Sequence, residues 1–277
     1  FAKDFTREIW TLYGVGTTVI IVRLGAAARR VRSIKSLQPD DWVALQLLLW
    51  YTLLTVAFYN IVNGGGSNFM TADDIAALTP ETHAARVLGS KWVLVSEQAM
   101  IFTIWSCKVM MLLVYRRLTA GLKQSRWVMA IAVWVAIGFV AIQFAYFLSC
   151  RPFNQYWAVP TYSNDQCWSY YIYSWIFGSF NVTADFFMLL IGMPLIISVQ
   201  RPWQQKVPLV LVFGMGLFVI AAAITNKLFA LDPAILSYDY ASWYNREAAV
   251  CVYVTNLPAI WSIVREMFPS INKWGFS

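Results

Sequence analysis

Apolar residues gather in seven long runs that short polar segments separate. The runs cover about residues 9–28, 42–62, 91–115, 127–149, 171–199, 207–230 and 243–264. A helix of about 20 apolar residues is long enough to cross the hydrocarbon core of a bilayer. We therefore predict an all-α polytopic membrane protein, in which seven transmembrane helices form one bundle over residues 1–277.

The composition agrees with this pattern. Charged residues make up 13% of the 277 residues, against about 25% in a typical soluble domain. The net charge of +7 alone would suit a nucleic-acid binder. The basic residues, however, lie mostly in short loops, as the positive-inside rule requires, so we expect membrane lipid and no nucleic acid as a partner.

The basic loops also predict the orientation. Lys and Arg follow the first, third, fifth and seventh runs, whereas the alternate loops carry few; the basic set is Arg29, Arg30, Arg32, Lys35, Arg116, Arg117, Lys123, Arg126, Arg201, Lys206, Arg265 and Lys273. These loops are expected to face the cytoplasm, which puts the N-terminus outside. The membrane is that of the endoplasmic reticulum or the cell surface.

Two of the four cysteines flank a predicted outer loop. Cys150 and Cys167 bound a segment rich in Trp, Tyr, Asn and Pro, on the oxidising side of the membrane. We predict a disulfide between them; two free thiols are the alternative. Cys107 and Cys251 lie within apolar runs and are expected to be buried. No Cys/His pattern predicts a metal site, and His83, the only histidine, lies in a predicted loop, which disfavours His-based catalysis.

Ionisable residues lie deep in the apolar runs: Glu97, Lys108, Asp185 and Glu247. A charge at membrane depth costs about 3 kcal/mol, so such residues pair, face a wet cavity or do chemistry. Asn181 and Asp185 are four residues apart and share a helix face. Lys108 and Asp185 fall at similar depth in two helices that run the same way, and we predict that they pair. The pair either locks the bundle or includes a catalytic carboxyl.

A second polar group is predicted at the outer end of the bundle. It combines two carboxylates, two cations, an amide and two aromatic residues: Glu97, Asn226, Lys227, Trp243, Tyr244, Arg246 and Glu247. Either these residues close the outer mouth as a salt-bridge network, or they form a ligand pocket or an acid/base site. A buried carboxyl can act as a general acid at neutral pH.

Several known site types have no match in the sequence. The seventh run contains no lysine that could form a retinal Schiff base, and no phosphate-binding glycine loop or zinc motif is found. We expect no cofactor.

A set of short motifs points to a family. It runs Asp40-Asp41-Trp42, Lys108, Tyr115-Arg116-Arg117-Leu118, Cys150-Arg151-Pro152, Trp157, Cys167, Asn181-x-x-x-Asp185, Met193-Pro194, Glu247 and Asn256-Leu257-Pro258. This pattern resembles the fungal rhodopsin-domain family of seven-helix membrane proteins, from about residue 9 to 268. That family includes membrane proteins of the satratoxin clusters and relatives of pathogenicity-related fungal receptors.

The sequence also departs from the family. Asn68 stands near a position where the family often has a histidine, and Asn226-Lys227 stands where an arginine is common. If these positions bind a ligand, the departures imply a different ligand.

Two functions follow. The first is an intramembrane, non-redox enzyme that catalyses acid/base-assisted cyclisation, isomerisation or a pericyclic reaction. The resemblance to family members from biosynthetic clusters implies that its substrate is a lipophilic small molecule of fungal secondary metabolism. Glu247 and Glu97 are its predicted acid/base residues, and Asp185 is the second candidate. The residues predicted to orient or bind the ligand are Asn181, Asn226, Lys227, Trp243, Tyr244 and Arg246.

The alternative is a G-protein-coupled-type receptor or sensor for an extracellular small molecule. Its outer cluster would bind the ligand, and inner loops 116–126 and 200–206 would meet a G protein. A transporter is a distant third reading, since no inverted repeat is found. We prefer the enzyme because several titratable groups lie inside a minimal bundle.

Overall fold

The fold is known from a computed structural model, which describes residues 2–30, 37–70, 72–160, 166–198, 221 and 239–267. These residues form helices joined by short turns, with no strand among them. In chain order the helices are α1 (Ala2–Arg30), α2 (Pro39–Asn63), α3 (Ala72–Ala76), α4 (Pro80–Leu118), α5 (Ser125–Ser149), a 3-10 helix (Phe153–Trp157), α6 (Gln166–Ser169), α7 (Tyr171–Ser198) and α8 (Asp239–Met267). The all-α prediction is confirmed.

Five of the described helices are long and apolar enough to cross a membrane. They are α1, α2, α4, α5 and α7, which match the first five predicted spans. The protein is therefore an integral, multi-pass membrane protein. The predicted seventh span lies within α8, and the predicted sixth span, 207–230, lies outside the described residues except for residue 221. The total of seven spans and the orientation stay predictions.

Helix α4 occupies the centre of the bundle. It packs against α2, α5, α7 and α8, while α1 packs against α2 and α8, and α5 against α7. In α4, 72% of the most apolar stretch is buried, against 22–39% in the other four spans. Glu97 and Lys108, the ionisable residues in the apolar part of α4, are therefore buried inside the protein rather than exposed to lipid.

Helix α4 also begins earlier than the apolar pattern indicates. The third run was predicted to start at residue 91, but the helix begins at Pro80. Thr79 caps it: its hydroxyl accepts a hydrogen bond from the Thr82 amide, and Pro80 occupies the first helical position. The apolar pattern indicates where the membrane-spanning part of α4 begins, whereas Thr79 and Pro80 mark where the helix itself begins.

A network of charges joins four helices at one end of the bundle. Arg23 of α1 donates to Asp40 of α2 at 2.6 Å and to Asn256 of α8 at 3.2 Å. Arg117 of α4 pairs with the second oxygen of Asp40. Gln38 is the N-cap residue of α2, and Asp40 in the first turn of that helix takes part in this network. Following the predicted orientation, we name this the inner end.

The opposite end, named the outer end, is held by a disulfide and a compact cover. Cys150 and Cys167 are bonded, as predicted. The turn after α2 lies against α4, where the Asn68 backbone amide donates to the Ser90 hydroxyl at 2.8 Å. The Asn68 side-chain amide donates to the carbonyl of Tyr156, in the 3-10 helix, at 3.0 Å. The outer loops therefore form a fixed lid over the helices.

Candidate functional site

A carboxylate with two tyrosine donors lies below this lid. Glu97 of α4 is 6% exposed, and one of its oxygens, Oε2, accepts hydrogen bonds from Tyr173 of α7 at 3.0 Å and from Tyr244 of α8 at 2.6 Å. Both tyrosines are buried. An ionised carboxylate has acceptor capacity for several donors, and hydrogen bonds to it are strong. We name Glu97, Tyr173 and Tyr244 the outer trio.

Further tyrosine rings form a wall beside the outer trio. The Tyr156 ring stacks on Tyr146 with centroids 5.7 Å apart and on Tyr170 with centroids 5.2 Å apart. Tyr146 also meets Tyr173 edge-on at 5.2 Å. These rings exclude water from one side of the outer trio and fix the Tyr173 ring.

Two tyrosines of this wall lie outside the membrane-spanning segments. Burial, and secondarily the charge of Glu97, raises the pKa of Tyr156 to about 12, although its bond to the backbone opposes the shift. The same two causes, with a smaller contribution from Tyr156, raise the pKa of Tyr170 above its ordinary value. Both phenols are therefore neutral at physiological pH, and the wall adds no charge beside Glu97.

Of the outer trio, Glu97 borders a cavity of about 140 Å³. Glu97 and Ser96 of α4 lie on one side, the turn residues Ser67, Asn68 and Phe69 and the segment Trp168, Ser169 and Tyr170 cover it, and Phe58, Ile61, Val62, Val93, Ser174 and Ala241 complete the lining. Pockets for small molecules usually measure about 300–1,000 Å³, so this volume suits a small group or one part of a ligand. Asn68, which stands near a histidine position of the resembled family, is in this lining.

A second polar cluster lies deeper in the bundle. The Asn181 side chain of α7 donates to Glu247 of α8 at 2.7 Å. Lys108 of α4 donates to the Asn181 carbonyl at 3.2 Å and forms an ion pair with Asp185. Glu97 and Lys108 are eleven residues apart, about 16 Å along one face of α4. The two clusters thus lie one above the other.

In the structure, the described residues of the predicted outer cluster contact different partners and do not form one group. Tyr244 meets Glu97, whereas Glu247, with no exposed surface, meets Asn181 in the deeper cluster. Arg246 pairs with Glu8 of α1 at 2.5 Å and lies over the Trp243 ring at 5.2 Å. Successive helical residues turn by about 100°, so Tyr244 and Arg246 point in different directions. Asn226 and Lys227 lie outside the described residues.

Sequence reasoning missed part of the site. Tyr173 lies eight residues before Asn181, so a helical projection of the fifth run places both on one face. Asn245 is 1% exposed, and among the described residues its side-chain polar atoms have no hydrogen-bond partner. The tyrosine wall depends on how the loop of residues 150–170 folds, which no helical pattern encodes.

Comparison with known protein families identifies the chain. A family model described as the fungal rhodopsin domain matches residues 24–266. The chain belongs to the fungal rhodopsin domain family. This fungal rhodopsin domain matches no curated protein and no solved structure in the comparisons made. The matched region includes every residue named in the outer trio and in the deeper cluster, which lie on α4, α7 and α8, so the site belongs to the family domain.

No group of three or more metal-ligating side chains occurs among the described residues of this fungal rhodopsin domain. The chemistry at hand in the described part of the chain is that of carboxylates, phenols, an amide and an ammonium group. These groups exchange protons and stabilise charge.

Proposed function

We propose that this protein is an intramembrane enzyme that catalyses proton-transfer chemistry on a lipophilic small molecule, such as an isomerisation or a cyclisation. The observation that carries the proposal is Glu97 at the edge of a covered cavity, with one of its carboxylate oxygens held by the hydroxyls of Tyr173 and Tyr244. Among the described residues, two phenol hydroxyls hydrogen-bond to Glu97, and a carboxyl group and a phenol can exchange a proton with each other and with a substrate.

The outer trio can move a proton without net consumption of any reagent. Glu97, as carboxylate, takes a proton from an acidic carbon of the substrate, and the Tyr244 or Tyr173 hydroxyl gives one to a carbonyl oxygen or to another carbon. The carboxyl proton then passes to the phenolate, which restores the starting state. Burial strengthens each of these interactions because it excludes water.

The deeper cluster supports this arrangement from below. Asn181 and Glu247 connect α7 to α8, the same two helices that supply Tyr173 and Tyr244. Lys108 and Asp185 connect α4 to α7. We assign Glu97 the role of base and Glu247 a positioning role, with Glu247 as the second candidate base. The lipophilic substrate would reach this depth through the membrane.

The experiment is metabolite profiling of the native host with the gene intact, deleted, or carrying Glu97→Gln. Glu81→Gln is the matched control, because it makes the same chemical change on the same helix at an exposed position. We expect one lipophilic precursor to accumulate in the deletion and Glu97→Gln strains, and the product to persist with Glu81→Gln. The amount of each variant in the membrane is measured in parallel. Normal product with well-expressed Glu97→Gln would refute the assignment.

One observation favours a receptor as the second candidate. Helix α8 carries Tyr244 in the outer trio, Glu247 in the deeper cluster and Asn256 in the inner network, so polar contacts follow it through the whole bundle. A ligand that shifts α8 would disturb the inner network. In the same experiment, loss of a receptor would raise or lower the metabolites of a whole pathway together, without the accumulation of one precursor.

A further inference from the structure

We propose that a groove between α2, α4 and α5 binds one anionic glycerophospholipid from the inner leaflet. The groove has a volume of about 530 Å³, within the roughly 300–1,000 Å³ range of small-molecule sites. It lies on the opposite end of α4 from the cavity of the outer trio, and none of its lining residues belongs to that cavity.

The groove has the length and chemistry of a site for an acyl chain. Along α5 it extends from Ser125 to Val140, which is about 22 Å of helix. One leaflet accounts for about 15 Å of the hydrocarbon core, so the groove covers one leaflet and part of the interface. Aromatic residues form its deep end, namely Phe102, Trp105 and Phe139.

These aromatic residues are held in place. The Trp105 indole donates to the Val135 carbonyl at 2.8 Å, which joins α4 to α5. The Phe102 ring stacks on Trp50 with centroids 4.2 Å apart and meets Phe139 at 5.5 Å. The groove is therefore a formed depression between fixed helices, and a chain that fills it gains contacts on three sides.

The inner end of the groove carries the charge. Arg116 lines it together with Gln46 and Ser125, and Arg116 is exposed. Its neighbour Arg117 is neutralised by Asp40, whereas no carboxylate among the described residues pairs with Arg116. A basic side chain at the mouth of an apolar groove, at the level of the headgroups, is complementary to a lipid phosphate. Uncharged occupants, such as a sterol, would leave this charge unused.

The test is native mass spectrometry of the purified full chain with dioleoyl phosphatidylserine and dioleoyl phosphatidylcholine, which share acyl chains. We expect one retained lipid and a preference for phosphatidylserine. Arg116→Gln should reduce that preference about fivefold, the factor that one basic residue near anionic lipid provides. Arg126→Gln is the matched control, because it removes an exposed charge at the same end of the bundle, in the first turn of α5, from a residue that does not line the groove.

A second pair of variants tests the groove itself. Ala136 is exposed and lines the groove, so Ala136→Phe should fill it and lower the retention of both lipids. Val133→Phe adds an aromatic ring to the same helix, at an exposed residue outside the groove lining, and should leave retention unchanged. Both sites tolerate a larger apolar side chain because they face lipid.

Three results would overturn the proposal. Equal loss of preference in Arg116→Gln and Arg126→Gln would show that only the general surface charge matters. Unchanged retention in Ala136→Phe would place the lipid elsewhere. Displacement of the phospholipid by ergosterol, or a dimer that Ala136→Phe dissociates, would assign the groove to a sterol or to a second copy of the chain.

Discussion

The ion pair between Lys108 and Asp185 offers the sharpest test of how the buried polar residues act. The Lys108 side chain is 1% exposed and that of Asp185 is 14% exposed. Besides Asp185, Lys108 has one described acceptor, the Asn181 carbonyl at 3.2 Å. Asp185→Asn would leave the ammonium group buried with neutral acceptors only, the new amide oxygen and the Asn181 backbone carbonyl, and without a charged partner. Removing one partner of a buried pair costs about 3–5 kcal/mol, so we expect a loss of that size in the free energy of unfolding.

The double variant separates charge from shape. Lys108→Met with Asp185→Asn leaves no charge at the site, and we expect stability within about 1–2 kcal/mol of the wild type. Lys108→Met alone should cost less than Asp185→Asn, because the partly exposed carboxyl can take a proton. The pair would then act mainly as a constraint on which helices meet.

The assay is unfolding by sodium dodecyl sulfate from a mild detergent, followed by the fluorescence of the 14 tryptophans. Glu8→Gln is the control: it breaks the pair with Arg246, whose side chains are 28% and 40% exposed, and should cost no more than about 1 kcal/mol. Wild-type stability in Asp185→Asn would refute the reasoning, and so would a double variant as unstable as Asp185→Asn. A stable but inactive Asp185→Asn would instead give Asp185 a catalytic role.

Two further predictions concern the outer end. Gly89→Ala places a Cβ 1.8 Å from the Gly66 carbonyl oxygen, so the turn must move and thermal stability should fall clearly. Gly14→Ala is the control: no atom lies within 4 Å of the added Cβ, so this variant should be neutral or slightly stabilising. Equal effects of the two variants in a thermal-shift assay would contradict this prediction. Cys150→Ser with Cys167→Ser opens a loop of 17 residues and should cost about 2–5 kcal/mol, and unchanged stability in the detergent assay would count against a structural role for the disulfide.

The helices could be predicted from the sequence because one physical constraint dominates them. Lipid requires long apolar runs, and five described helices follow those runs. The spacing of Lys108 and of Asn181-x-x-x-Asp185 places these groups at one depth, and in the structure their side chains meet. The start of α4 at Pro80 could not be predicted from hydrophobicity, because residues 80–90 form a helix without being an apolar, lipid-facing run.

The outer trio could be predicted only in part. Glu97 and Tyr244 were placed at the outer end, but Tyr173 was missed and Glu247 was placed too far outward. The depth of a side chain in the membrane can be counted along its apolar run. Which side chain it contacts depends instead on the rotation of each helix about its axis and on how the loop of residues 150–170 folds. The pairing of Arg246 with Glu8 joins residues 238 positions apart, which a local pattern cannot show.

The length of α4 determines where the outer cover of the cavity lies. With 39 residues it measures about 58 Å, roughly twice the hydrocarbon core, so its first turns project beyond the membrane. The turn of residues 64–69 is fastened to those turns through Asn68 and Ser90, while Glu97 lies further along the same helix. Glu97 and this turn are therefore attached to one helix, and the turn meets α6 where the Phe69 and Trp168 rings lie 5.9 Å apart. A ligand that enters from within the membrane, as proposed, would leave this outer cover in place.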